Sequence, residues 1–201
     1  MADTNADPPT GESLNNEARE PTLADLADLC RALNDRGAKY IVVGGFAIQA
    51  AGYLRRTMDV DILIATDLEN ERKVIEALAT LPDKASLALK PGEIAEYGVV
   101  RVADAIVVDL MKSGCGVYYE EAARDRIVKM VDGVPVPFAS PQTLWKMKQT
   151  LREKDVPDRL FLRRLLGNME LENKNTPNEA AFSSKPRSWW TRLFGWLLSK
   201  R

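Results

Sequence analysis

Two aspartates, set one residue apart at the head of an apolar run, constrain this chain more than any other feature. They stand in residues 43–64, VGGFAIQAAGYLRRTMDVDILI, where the pair Gly44-Gly45 is followed by Asp59-Val60-Asp61. Successive side chains of a strand point to opposite faces, so both carboxylates project from one face with their roots about 7 Å apart. Bare, they repel one another and are costly to desolvate. A divalent cation between them removes both penalties, and Mg²⁺ is usually held by one or two carboxylates together with substrate phosphates. The pattern therefore points to metal-assisted phosphate chemistry, with Asp59 and Asp61 as ligands.

The glycine pair has its own logic. A strand-to-helix turn without side chains lets backbone N–H groups approach phosphate oxygens, which makes Gly44 and Gly45 candidate nucleotide contacts. Taken alone, such a pair is a weak signal and reads more simply as a tight turn. With one helix and one turn between Gly45 and Asp59, the two flanking strands become neighbours, and phosphate site and metal site meet at one end of a sheet.

What the chain lacks narrows the chemistry. None of its 201 residues is histidine, so a Ser-His-Asp or Cys-His unit and a His-based zinc site are excluded. Carboxylates, lysines and a metal must carry any catalysis. Cys30 and Cys115 are far apart in sequence, which excludes a zinc cluster and gives a disulfide no support, so a reduced, cytoplasmic protein is the default. A formal net charge of −1 argues against a globally basic nucleic-acid binder and leaves room for local basic surfaces.

Periodicity and breakers predict one mixed α/β (α+β) domain over residues 22–169, a mixed sheet flanked by helices. Thr22 caps a helix carrying Leu23, Leu26, Leu29, Cys30 and Leu33, which ends at Gly37. Strands are expected at 40–43, 58–64, 98–103 and 105–111, the last two joined tightly at Asp104; helices are expected at 46–52 and 69–80. Asp132-Gly133 joins strands 127–131 and 134–138 as a hairpin. Ser140-Pro141 opens a helix over 141–151, and a second follows over 156–168. Residues 1–21 read as a disordered arm without a secretion signal, and 170–187 as a polar linker.

These residues resemble the nucleotidyltransferase fold of the DNA polymerase β superfamily, whose signature is a glycine pair followed by Asp-x-Asp. The run from Arg55 through Thr57, Asp59 and Asp61 looks most like the minimal and abortive-infection-type (AbiEii-like toxin) nucleotidyltransferases, and the resemblance covers residues 23–166. It implies transfer of a nucleoside monophosphate from an NTP donor to an acceptor, with Mg²⁺, two ions in the usual scheme, as cofactor. It also implies a third carboxylate on a neighbouring strand, for which Asp109 is the best match and Asp104, which looks like a turn residue, the rival. Asp109 read alone is equally the exposed end of a strand. Lys148, Lys154, Asp155 and Asp158 match a helical segment of the same group; Lys148, chosen over Lys146, is the residue placed to reach a triphosphate. Asp155 and Asp158 read more simply as the cap and first turn of the second helix. Arg55, Arg56 and Thr57 precede the metal strand and are placed to contact phosphate or orient Asp59.

The tail departs from that resemblance. Over residues 188–201 Trp189, Trp190, Leu193, Phe194, Trp196, Leu197 and Leu198 share a broad face of a helical wheel, bordered by Lys185, Arg187, Arg192, Lys200 and Arg201. A basic amphipathic helix of this kind suits peripheral attachment at the inner face of a membrane, and docking on the domain or on a protein partner suits it equally. Three function classes follow. The first is an active transferase, with a tRNA or other RNA, a protein or a small molecule as acceptor and, as toxin of a pair, a cognate antitoxin. The others are a nucleotide sensor using the same pocket without turnover and a membrane-associated adaptor working through the tail. A basic strip of Arg152, Lys154, Arg159, Arg163 and Arg164 keeps an RNA acceptor open.

Overall fold

The computed structural model describes residues 18–175. The first helix, α1 (Leu23–Asp35), begins at its Thr22 cap: Asp25 N–H donates to Thr22 Oγ1 at 3.2 Å, and Thr22 N–H donates to Asp25 Oδ2 at 2.8 Å. Its apolar stripe of Leu26, Leu29, Cys30 and Leu33 is buried. Order starts before that cap. Arg19 pairs with Asp25 at 2.6 Å and forms a parallel bridge with Ile106, and Glu20 pairs with Arg56, so the last residues of the expected arm are tied to the domain.

The chain continues through β1 (Tyr40–Val42), α2 (Gly44–Ala50), β2 (Val60–Ile64), α3 (Leu68–Leu78), a 3₁₀ turn at Ala85–Ala88, α4 (Glu93–Tyr97), β3 (Val99–Ala103) and β4 (Val107–Met111). The small hairpin β5 (Ser113–Gly114) and β6 (Val117–Tyr118) leads into α5 (Tyr119–Ala122), then β7 (Ile127–Val131), β8 (Val134–Phe138), α6 (Pro141–Met147) and α7 (Val156–Asn175). Six strands form one mixed sheet in the order β3-β4-β2-β1-β8-β7. β1 lies antiparallel to β2 and parallel to β8, β2 lies parallel to β4, and the two outer pairs are hairpins. The β7–β8 turn takes the Asp132-Gly133 conformation that the dipeptide favours, with φ of 46° and 77°. Helices α1 and α3 pack together, α2 packs on β2 and on α6, and Ile41, Val60, Ile62, Leu63, Ile64, Val108 and Leu110 fill the middle of the sheet. This is the mixed sheet flanked by helices expected from the sequence.

Several boundaries differ for physical reasons. β2 starts at Val60, so Asp59 stands just ahead of the strand and not inside it. α2 starts at Gly44 itself. α6 stops at Met147, because the chain turns there to bring the next segment back over Lys148, and the Arg159 guanidinium donates to the freed carbonyls of Lys148 and Thr150 at 3.2 and 2.8 Å. α7 runs through the first residues assigned to the linker, since Glu170, Leu171, Glu172 and Lys174 are all strong helix formers. The chain divides into two units, Met1–Leu165 and Leu166–Arg201. The tail expected over 188–201 lies outside the described residues, as does the arm over 1–17. No helix among the described residues is long and apolar enough to cross a membrane.

Two buried acids hold the edge on which β3 sits. Asp104 accepts from the backbone N–H groups of Asp83, Ala85 and Ala105 at 3.0, 3.0 and 2.8 Å, so it is the turn residue the sequence indicated and is used up there. Glu71, fully buried on α3, accepts from Gly92, Ile94 and Ala95 N–H at 2.5, 3.3 and 2.9 Å and so caps α4. Glu71→Ala would strand those donors away from water and lower stability by about 2–4 kcal/mol. Urea unfolding checks it: the midpoint should fall at unchanged m-value, and Glu71→Gln, which keeps one acceptor oxygen, should fall less.

Candidate active site

A cleft of about 480 Å³ opens beside the Val43-Gly44 turn and is lined by Arg55, Thr57, Asp59, Asp61, Arg101, Asp109, Lys148 and Arg152, with Met111, Gly114, Leu144 and Met147 supplying its apolar part. Parallel pairing places Asp61 directly opposite Asp109, and the turn ahead of β2 brings in Asp59. One oxygen from each of Asp59, Asp61 and Asp109 lies within 4.8 Å of the others. Three oxygen donors gathered this closely suit Mg²⁺ or Mn²⁺, which prefer carboxylate and water over nitrogen or sulfur. Burial, with the charges of Asp59 and Asp109, pushes the Asp61 carboxyl up to about 6, against the pull of Lys148 and of the Gly45 N–H.

The glycine pair makes room for this cluster. A Cβ on Gly44 would lie 1.7 Å from Asp61 Oδ2, and one on Gly45 would lie 2.2 Å from Thr57 Oγ1. The side-chain positions at both glycines are thus filled by neighbours, at Gly44 by the Asp61 carboxylate. Val43 N–H donates to the Asp61 carbonyl at 3.0 Å, which fixes the turn against β2. Buried Thr57 donates to the Asp59 carbonyl at 3.1 Å and approaches its carboxylate Oδ1 at 3.4 Å, so it orients Asp59 from behind.

Lys148 and Arg55 also reach the cleft, and both are already paired. Lys148 Nζ is 2.8 Å from Asp155 Oδ1 and 3.0 Å from Asp158 Oδ2, and Arg55 Nε is 3.1 Å from Asp158 Oδ1. Asp155 and Asp158 are therefore more than helix-end acids: they anchor the cleft's basic side chains, a role that a capping reading misses. Lys146, the residue passed over for Lys148, pairs with Glu121 on the surface. The basic strip is partly spent in the same way, since Arg152 binds Asp155 and Arg159 closes the α6 terminus. Burial raises the Asp155 carboxyl, but hydrogen bonds from Lys148 and Thr150 and the charges of Lys148 and Arg152 hold it at about 2. Because the folded value is depressed, the stability it contributes is present above the ordinary carboxylate range and is lost as pH falls from about 4 through about 2. Asp155→Asn should lower stability near neutral pH by about 3 kcal/mol, by leaving Lys148 short of a partner, and should flatten the acid limb of a urea-midpoint profile.

Arg101 is the site residue that the sequence reading missed. It stands opposite Asp109 across the β3–β4 hairpin, donating from Nε to Asp109 Oδ1 at 2.8 Å and from Nη2 to Asp109 Oδ2 at 2.7 Å, while Nη2 also reaches Asp59 Oδ2 at 3.3 Å. The signal was the hairpin register: β4 starts at Val107 and not at residue 105, and the loop over residues 104–106 sets Arg101 across from Asp109. Cys30 and Cys115 are both free thiols.

No family model matches the chain, and no curated protein does. Among solved structures it is similar to an antigenic nucleotidyltransferase-like protein from Paracoccidioides brasiliensis, at 19% sequence identity and a TM-score of 0.43, covering 74% of this chain and 78% of that one.

Proposed function

We propose that this chain is a metal-dependent nucleotidyltransferase that moves a nucleoside monophosphate from an NTP to an acceptor hydroxyl. The observation that carries the reading is the convergence of Asp59, Asp61 and Asp109 on one cleft beside the Gly44-Gly45 turn, with basic side chains along its wall. Asp59, Asp61 and Asp109 would hold Mg²⁺, which when bound neutralises the triad, eases deprotonation of the acceptor and offsets phosphate charge. The protein's own part is positioning and charge. Thr57 fixes Asp59, and the parallel β2–β4 register fixes Asp61 against Asp109. Asp109 would take the acceptor's proton as the acceptor oxygen bonds to the α-phosphorus, while the bond from that phosphorus to the bridging oxygen breaks and pyrophosphate leaves. Lys148, Arg55, Arg152 and Lys154 line the wall on which the triphosphate would lie. Resemblance over residues 55–61 supports a toxin of the abortive-infection type, whose acceptor would be an RNA, a protein or a small molecule and whose partner would be an antitoxin.

The test is incubation of the full chain with each α-labelled NTP, Mg²⁺ and cell lysate, beside the Asp59→Ala/Asp61→Ala variant. Label that enters one acceptor class with wild type and disappears with the variant supports the reading and assigns the acceptor. A second reading, a nucleotide sensor, is favoured by one observation: the Arg101 bridge already satisfies Asp59 and Asp109 without a metal. Nucleotide binding without label transfer would select it.

A further inference from the structure

Arg101 occupies an unusual place for a surface arginine. Its fork covers both oxygens of Asp109, and the same Nη2 touches Asp59, so one guanidinium spans two of the three carboxylates that would ligate a metal. Among the described residues it is the one basic side chain hydrogen-bonded to that triad. The other cations of the cleft have their own acids: Lys148 holds Asp155 and Asp158, and Arg55 holds Asp158.

We propose that Arg101 is the resident counter-cation of the metal centre and is displaced when a divalent ion binds, so that its grip on Asp59 and Asp109 sets the metal affinity. This rests on the reading of Asp59, Asp61 and Asp109 as a metal site. A Mg²⁺ ion needs its ligand oxygens at about 2.0–2.1 Å, which draws Asp59 and Asp109 toward the gap that Nη2 now spans. The ion and the guanidinium also compete for the same charge, and side by side they repel at short range in a site partly screened from water.

Exchange is open to Arg101 and closed to its neighbours. It sits on β3, the edge strand of the sheet, and its side chain is 60% exposed, so it can leave for solvent without opening a cavity or stranding a buried donor. Lys148, by contrast, is only 10% exposed between two acids that are almost fully enclosed. The hairpin register keeps the Arg101 backbone opposite Asp109 throughout, so the side chain returns when the metal departs. The Asp109 carboxylate is only 13% exposed, so of the two partners it is the guanidinium that is free to exchange.

The experiment is titration of the full chain with Mn²⁺, following free ion by electron paramagnetic resonance, for wild type, Arg101→Gln and Arg101→Lys. Arg101→Gln should bind Mn²⁺ tighter by on the order of tenfold, and Arg101→Lys, which keeps the charge but loses the fork, should fall between. Equal affinities in all three, with binding measurable, would overturn the competition and leave the metal site standing. No binding in any of them would remove the metal site and the proposal with it. A second readout needs no variant fold: the Arg101 Nε–H resonance of wild type should move toward that of a solvent-exposed guanidinium as Mg²⁺ is added, and an unmoved resonance at saturation contradicts displacement.

Discussion

Asp61→Asn should sharply slow transfer and at the same time make the metal-free protein more stable. The activity loss is expected at roughly 10²–10³-fold, the scale seen when one charge-stabilising group is taken from a preorganised site. The stability gain comes from the same source. Burial and the charges of Asp59 and Asp109 push the Asp61 carboxyl up to about 6, so its ionised form is disfavoured in the folded state. Asparagine keeps the shape and an acceptor for the Gly45 N–H without the charge, a gain on the order of 1–3 kcal/mol near neutral pH. The sign follows from linkage: with the folded value raised, the stability Asp61 contributes at low pH is lost as pH rises through about 6. The variant should lack that loss. Label transfer and calorimetry in chelator check the two halves, and a variant that is both inactive and less stable would mean that Asp61 serves the fold and not the chemistry.

Gly44→Ala is the second large effect, and it acts through Asp61. The added Cβ would meet Asp61 Oδ2 at 1.7 Å, Cγ at 2.4 Å and Cβ at 2.8 Å, so rotating the carboxylate tip does not clear it and the side chain must leave its position. Gly44 also holds a φ of +59°, a left-handed conformation that costs a non-glycine residue about 1–2 kcal/mol. Overpacking adds about 1–3 kcal/mol. The chain should still fold, with a lowered melting temperature, while Mn²⁺ binding and label transfer fall to the level of Asp61→Asn. Gly37→Ala is the control: its φ of +61° is similar but nothing lies within 4 Å of the added Cβ, so it should lose a little stability and no activity.

Much of this site was legible because local rules and one register set it. Asp59 and Asp61 stand out as acids in an apolar run, Asp109 stands out in the middle of the run that becomes the parallel neighbour of β2, and the hairpin dipeptide at Asp132 reports its own turn. The layered mixed sheet follows from alternating helix and strand periods. What was not legible depends on contacts between distant segments. Glu71 looks like one more solvated acid on an amphipathic helix until the backbone donors of residues 92–95 arrive over it. Asp155 and Asp158 look like helix-end acids until the α6–α7 turn lays them on Lys148 and Arg55. Arg101 looks like a solvent-facing strand residue, and it is, except that the hairpin loop sets it across from a carboxylate. The glycine pair reads in sequence as a turn open to phosphate, and only the folded chain shows that the Asp61 carboxylate packs where a Gly44 side chain would stand.

The most direct measurement of the central claim is a paired reaction with α-labelled and γ-labelled NTP in Mg²⁺, with and without chelator. The account predicts that α-label enters the acceptor, that γ-label leaves as pyrophosphate, and that chelator stops both. Transfer of γ-label to the acceptor, or α-label transfer that survives chelator, would contradict it.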